Sequence, residues 1–328
     1  MKVFDAISYC KGSTVVRMAA TILGPEKFRE GLQLYMKRHQ YGNTVTRNLW
    51  EAWAEVSGVD VPGLMASWTQ QMGFPYLRVV DEQWTEAQVT FTLEQQWFLS
   101  DGTGGEGEGA DKLWSIPLLF VTSSEVSQDA VIMSARRQTF AVAVKGPEDF
   151  VKINAGQRAL VRVAHSNDMY RRLNRAIGDQ TIGPEDRSSL LLDAYSLAKA
   201  NIVPVEMVVN VLRGFGTELN STVWSAIEEV LNGLSLIMET IGGVACDEFF
   251  RFAGKLVKAS LTEVGWEPRP GVVEGHTYKL LRTILLRLAE SFCSSDPEVS
   301  AEARRRYDLH WEDPSALPSE YKVRQWSP

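Results

Sequence analysis

Trp68-Thr69-Gln70-Gln71-Met72-Gly73-Phe74-Pro75 marks the point at which the hydrophobic period of this 328-residue chain changes. Upstream of it the period is helical. Ile7, Thr14, Val15, Met18, Ala19, Ile22 and Leu23 recur at three- and four-residue intervals, and Gly24-Pro25 then ends one helix and opens the next. Phe28, Leu32, Tyr35 and Met36 continue one face as far as Gly42, and Leu49, Trp50, Trp53 and Val56 make a third helix that stops at Gly58. A fourth starts at Pro62, whose fixed φ suits the first helical position, and presents Leu64, Met65 and Trp68 before Gly73 and Pro75 end it.

From Phe74 onward the period is two, the signature of strands with alternating faces. Leu77 and Val79, then Val89, Phe91 and Leu93, then Trp114, Ile116, Leu118 and Phe120, then Phe140, Val142 and Val144, then Val151 and Ile153, and last Leu160, Val161 and Val163 predict short strands of a small β-sandwich. The acidic, glycine-rich stretch from Asp101 to Asp111 cannot bury a side-chain core and is expected to form a mobile hairpin loop. Glu106 and Glu108 would repel a phosphate there, and no Gly-Lys-Ser/Thr follows. Beyond Asn167 the helical period returns, through Tyr170, Leu173 and Ile177 to Leu281, Ile284, Leu285 and Leu288, with short connections that suit the stacked helix pairs of a solenoid. The last helices give way at Leu317-Pro318 to a tail ending at Pro328 with no polar capping helix, so the solenoid reads as incomplete. The expected fold is multidomain and mainly α, divided into 1–73, 74–157 and 158–328. That agrees with a length beyond the roughly 250 to 300 residues at which one core stops growing.

Composition excludes several classes of function. The 34 basic and 41 acidic residues give a net charge of −7, so no broad positive footprint exists for nucleic acid. The clusters Arg171-Arg172 and Arg304-Arg305-Arg306 belong to helical patterns and are expected on solvated faces. There is no secretory signal in residues 1 to 25, and no apolar run approaches the roughly 20 residues needed to span a bilayer. A cytoplasmic protein with no membrane partner is expected. Cys10, Cys246 and Cys293 are odd in number and widely spaced, and read as reduced, mostly buried thiols.

Catalytic motifs are scarce. The four histidines, His39, His165, His276 and His310, form no H-E-x-x-H, and His310-Trp311-Glu312 lacks the downstream cysteine pair of a deaminase. There is no G-x-S-x-G elbow, and nothing in the sequence marks a cysteine as activated. On residues alone the chain holds no self-sufficient catalytic constellation and no metal site.

Four segments in order carry a family likeness: Phe4-Asp5-Ala6-Ile7-Ser8-Tyr9-Cys10-Lys11-Gly12, Tyr35-Met36-Lys37-Arg38-His39-Gln40-Tyr41-Gly42-Asn43-Thr44, Asn48-Leu49-Trp50, and Trp68 to Pro75. Trp114-Ser115-Ile116-Pro117-Leu118, Val151-Lys152-Ile153-Asn154, Asp186 to Ala194 and Ala301 to Tyr307 continue the series. Together they resemble the gluzincin zinc aminopeptidases of the puromycin-sensitive type over essentially the whole chain.

The resemblance implies the helical tail of a thermolysin-like catalytic domain, a small β-sandwich and the first part of a helical domain. It implies zinc and peptide substrates for the full-length parent. The family's G-x-M-E-N and H-E-x-x-H segments are absent, and with them the ligands that let zinc bring the pKa of an attacking water to about 7. The chain is therefore expected to begin inside an enzyme, to need the missing catalytic half as a partner, and to be inactive by itself. Tyr9 matches the family's catalytic tyrosine in its Tyr-x-Lys-Gly setting. An unperturbed phenol, with a pKa of about 10, stays a donor at neutral pH and can stabilise an oxyanion. His39 matches a structural position. One departure stands out: Arg158-Ala159-Leu160-Val161-Arg162-Val163 keeps an Arg-Val pair and loses the aromatics that family members carry there.

The alternative to an enzyme fragment is a non-catalytic interaction scaffold, which the concave surface of stacked helices would suit. Helices 6 to 73 are expected to expose Trp50, Trp53 and Trp68 as an apolar patch and to promote self-association.

Overall fold

The computed structural model describes residues 7–104, 107–268 and 271–313; Phe4-Asp5-Ala6, Gly105, Glu106 and the tail from Leu317 to Pro328 lie outside the described residues. The chain is mostly helical with small sheets. It forms two compact units, Met1–Ala176 with Gln180–Val208, and Ile177–Asp179 with Val209–Pro328.

The first unit opens with a π-helical turn, Ile7–Lys11, that runs directly into α1 (Gly12–His39). α1 breaks where its sequence does. Gly24 sits at φ 72° and ψ 164°, outside the helical region, and Pro25, which has no N–H to give, restarts the helix. α2 (Thr46–Ser57) ends at Gly58, left-handed at φ 74°. α3 (Val61–Thr69) is capped by the Asp60 carboxylate, which accepts from the Gly63 amide at 3.0 Å.

Among the described residues eight strands follow: β1 (Pro75–Trp84), β2 (Gln88–Trp97), β3 (Ile116–Leu118), β4 (Phe120–Val121), β5 (Val131–Met133), β6 (Arg137–Ala143), β7 (Lys152–Ile153) and β8 (Arg162–Ala164). β1 and β2 form a long antiparallel hairpin, Pro75 opposite Trp97 and Trp84 opposite Val89, with one irregularity between Val79 and Asp81. β6 joins β2 antiparallel and β8 joins β1 parallel, giving the order β6-β2-β1-β8; β3 pairs with β5, and β4 with β7. Val89, Phe91 and Leu93 point inward in strict alternation along β2. Leu160 and Val161, expected in a strand, instead form the bend that leads into β8.

One core cluster runs through helices and sheets alike, from Val15, Met18, Trp53 and Trp68 to Phe91, Ile116, Phe140 and Val163. This corrects the expected exposed patch. Trp50, Trp53 and Trp68 are 7%, 0% and 1% exposed. Trp53 stacks between Phe28 and Trp50, and Trp68 meets Trp114 with ring centroids 6.4 Å apart. Their partners lie within the same chain, which periodicity alone does not show.

The glycine-rich stretch is also closer-packed than its composition suggests. A Cβ on Gly104 would overlap the Trp97 carbonyl and one on Gly109 would overlap the Trp97 ring, while the Lys112 ammonium sits 3.3 Å from the centre of that ring. These glycines serve close approach as well as turning.

Three further helices are α4 (Asn167–Gly178), α5 (Pro184–Lys199) and α6 (Val205–Leu212). α5 buries Leu190, Leu191, Ala194 and Leu197. In the second unit α7 (Ser221–Ile241) is capped by Asn220, whose side chain accepts from the Thr222 and Val223 amides. α7, α8 (Gly243–Val264) and α9 (His276–Phe292) pack against one another around Trp224, Ile227, Leu231, Leu256 and Leu285. α10 (Pro297–Glu312) starts at an Asp296 cap.

Arg172 and Arg306, expected on solvated faces, are buried. Arg172 stacks 4.0 Å above the Trp84 ring and pairs with Asp168, and Arg306 lies over Trp266 and pairs with Glu267 and Glu302. A planar guanidinium can cover an aromatic face and still satisfy its donors. Of the three free thiols only Cys293 is buried; Cys10 is exposed.

Candidate functional site

Tyr9 lies in the π-helical turn ahead of α1 with 60% of its surface exposed. Single π turns within helices are frequent at functional sites. The turn is tied down next to the tyrosine. Thr14 Oγ1 and Ser13 Oγ both donate to the Cys10 carbonyl, at 2.8 and 3.0 Å. Lys11 Nζ reaches beyond α3 and donates to the Gly73 carbonyl at 3.0 Å and that of Gln71 at 3.4 Å. Partial burial, and then the neighbouring Lys112 charge, hold the Lys11 ammonium below its ordinary pKa.

Among the described residues no ligand set gathers around this turn. His39 closes α1 against Tyr35, with ring centroids 5.4 Å apart, and His165 is buried behind β8. Among the described residues no three His, Cys, Asp or Glu side chains come together as a metal-binding group. The residues described here do not fit a zinc ion. What the turn offers chemically is an accessible phenol and a fixed backbone.

A second assembly was not foreseen from the sequence, although both of its halves are among the family landmarks. Lys152, 2% exposed at its side chain, pairs with Asp186 at 2.9 Å and donates to the Asn154 carbonyl at 2.6 Å. Asp186 also accepts from the Gly156 amide at 2.7 Å. Asn154 exchanges two hydrogen bonds with the backbone of Ala159, at 2.9 and 3.1 Å. Arg162 pairs with Asp193 at 3.0 Å, whose other oxygen accepts from the Val163 amide. Burial pushes the Asp193 carboxyl up, opposed by Arg162 and Lys152, and burial likewise pushes the Tyr170 phenol up. His165 is driven down to about 3 by burial and then by the Lys152 charge. The tight turn at the centre holds two non-glycine residues at left-handed φ, Asn154 at 62° and Gln157 at 53°.

Beside that turn a cleft of about 290 Å³ opens, lined by Thr14 and Arg17 of α1, Phe74, Gln157 and residues 159–162. Only the spatial meeting of α1 with the 154–158 turn reveals it, and no single sequence motif does.

Known proteins match most of the length of the chain. Residues 150–325 match the ERAP1-like C-terminal domain, and residues 1–68 match the peptidase family M1 domain. Aminopeptidase 2 of Candida albicans is 32% identical over 93% of this chain and 32% of its own length. Puromycin-sensitive aminopeptidase of Caenorhabditis elegans is 31% identical over 88% of this chain and 30% of its own. Aminopeptidase M1-A of Oryza sativa subsp. japonica is 30% identical over 95% and 34%. The chain thus spans about a third of the length of these curated relatives. With both patterns met in order along one polypeptide, the chain belongs to the M1 aminopeptidase family, and its second half is the ERAP1-like C-terminal domain.

Proposed function

We propose that this chain is the carboxy-terminal part of a zinc aminopeptidase that removes amino-terminal residues from peptides in the cytoplasm. In this reading residues 1–73 complete the catalytic domain, 74–157 form a β-sandwich, and 158–328 begin the helical solenoid domain. The observation that carries it is Tyr9, which stands exposed on an anchored π turn inside the stretch that matches the peptidase domain. Its phenol would donate to the carbonyl oxygen of the scissile bond as that oxygen gains negative charge, in the manner of an oxyanion hole. Zinc and the residues that hold it belong to the rest of the parent protein. The chain alone is inactive, since its sequence has no H-E-x-x-H and no G-x-M-E-N.

Activity assays with an aminoacyl-arylamide test both halves of the proposal. The purified chain with added zinc should give no turnover, and fusion behind the upstream part of Candida albicans Aminopeptidase 2 should restore it. In that fusion Tyr9→Phe should lower kcat about 10²- to 10³-fold, the usual loss for one oxyanion donor. Zinc-dependent turnover by the chain alone would overturn the inactivity, and an unaffected Tyr9→Phe fusion would overturn the role of the phenol.

A further inference from the structure

We propose that the cleft between α1 and the 154–158 turn binds a carboxylate carried on a short apolar group. Its volume of about 290 Å³ suits a ligand of a few heavy atoms. Two cations, Arg17 and Arg162, line it, and no acid does. Thr14 and Gln157 add polar groups, while Phe74 and Leu160 give it an apolar side.

The two arginines are not equivalent. Arg162 is neutralised by Asp193 at 3.0 Å. Arg17 is not: its hydrogen bond runs to the Gly156 carbonyl at 2.9 Å, and no carboxylate among the described residues pairs with it. Arg158 adjoins the same turn: its Nε stands 3.3 Å from where a Cβ of Gly156 would be, and it has no hydrogen-bond or ion-pair partner among the described residues. The acid next to them, Asp186, is engaged with Lys152 and the Gly156 amide. Two guanidinium groups with no carboxylate partner among the described residues therefore stand at one turn of a chain whose net charge is −7. An anion seated beside Arg17 would supply the counter-charge that it lacks.

The backbone argues in the same direction. Asn154 and Gln157 hold left-handed φ values that ordinary side chains adopt at a cost, and such strain persists where the surroundings enforce a shape. Here the enforcing bonds are those between Asn154 and Ala159, and the wall they shape is that of the cleft. A guanidinium fork matches a carboxylate in two parallel hydrogen bonds. Inorganic phosphate would use the fork and leave Phe74 and Leu160 uncovered, so the apolar side favours an organic acid.

Isothermal titration of the intact chain tests this without any catalysis, so the outcome is independent of the aminopeptidase reading. The ligands are 4-methylpentanoate and N-acetyl-alanyl-leucine, which separate a free acid from a peptide's carboxyl end, with N-acetyl-alanyl-leucinamide and inorganic phosphate beside them. At least one carboxylate should bind as a single equivalent, with the amide and phosphate about ten-fold weaker or more. Arg17→Gln should weaken the carboxylate by about ten-fold or more, the effect of losing one charged hydrogen bond. Arg158→Gln removes no structural contact, so it keeps the test decisive if Arg17→Gln fails to fold, and it should weaken binding in the same direction. Absence of binding at millimolar carboxylate, equal binding of amide or phosphate, or affinity unchanged in both variants would each overturn the proposal.

Discussion

The Lys11 ammonium donates to the Gly73 carbonyl at 3.0 Å across 62 residues of sequence, and so joins the turn that carries Tyr9 to the chain just beyond α3. Three successive carbonyls there face ammonium groups: Gln71 and Gly73 accept from Lys11, and Met72 accepts from Lys112 at 3.5 Å. Carbonyls left unpaired at a helix end are natural cation sites. Lys112 is thus both a second brace and a like charge that makes the Lys11 ammonium easier to deprotonate.

Replacing Lys11 by Met should release the tyrosine turn without unfolding the unit. A half-buried charged hydrogen bond contributes about 1–2 kcal/mol here, so amide exchange in residues 7–14 should speed up about ten-fold. Lys112→Met should have a smaller effect, because it removes a brace and a repulsion together. Unchanged exchange in Lys11→Met, measured by mass spectrometry, would show that the turn is held by α1 alone.

Gly31 of α1 lies directly against Trp53, and a Cβ there would overlap the indole ring. Two effects compete in Gly31→Ala. Helix propensity favours alanine by about 0.8–1.0 kcal/mol, whereas overpacking a filled site costs about 1–3 kcal/mol. Trp53 has no room to yield, since its indole N–H donates to the Phe28 carbonyl at 2.9 Å and its ring is stacked on both sides. Net destabilisation of about 1–2 kcal/mol is expected in urea melts. A stabilised variant would mean that the tryptophan stack shifts freely.

Much of this first unit was legible because its signals are local. The break at Gly24-Pro25, the stop at Gly58 and the alternation of Val89, Phe91 and Leu93 each depend on residues within one turn or one strand. β5 escaped notice because Val131 is exposed and only Met133 of its three residues is buried. Leu160 and Val161 are apolar like strand residues but follow a turn that the Asn154 side chain closes through two hydrogen bonds to the Ala159 backbone. Tyr9 could be picked out from its motif, yet its anchor is a carbonyl far along the chain. The cleft combines Thr14 and Arg17 with residues 157–162, a juxtaposition that only the fold creates. Charged residues misled for a similar reason: Arg172 and Arg306 are covered by Trp84 and Trp266, which lie well away from them along the chain.

The Lys152–Asp186 pair should respond in the manner of a buried ion pair. Breaking it on one side, with Asp186→Asn, leaves an ammonium out of water and should destabilise the unit by about 3–5 kcal/mol. Combining it with Lys152→Met removes the stranded charge, so the double variant should be less damaged than the sum of the singles. Additive losses in a double-mutant cycle would show that the two groups do not interact in the folded chain.

His165 sets a pH dependence whose sign follows from its environment. Burial and the Lys152 charge lower its folded pKa to about 3, while the unfolded chain keeps the ordinary value of about 6.5. Between those limits the unfolded state holds a proton that the folded state refuses. The stabilisation is therefore complete above about pH 6.5 and is lost as the pH falls towards 3, at about 1.4 kcal/mol per pH unit. His165→Gln keeps a polar group near the Ile153 amide, which the imidazole Nε2 accepts from at 3.4 Å, but cannot titrate. The variant should start less stable at neutral pH and lose stability less steeply on acidification, so the two stability curves converge. Asp193, whose raised carboxyl pKa acts with the opposite sign, is common to both proteins and cancels in the difference. Urea melts of both proteins at intervals from pH 7 down to pH 4 measure that difference directly. Parallel curves would mean that the imidazole is protonated as readily in the folded chain as in the unfolded one, and that the space behind β8 is open to water.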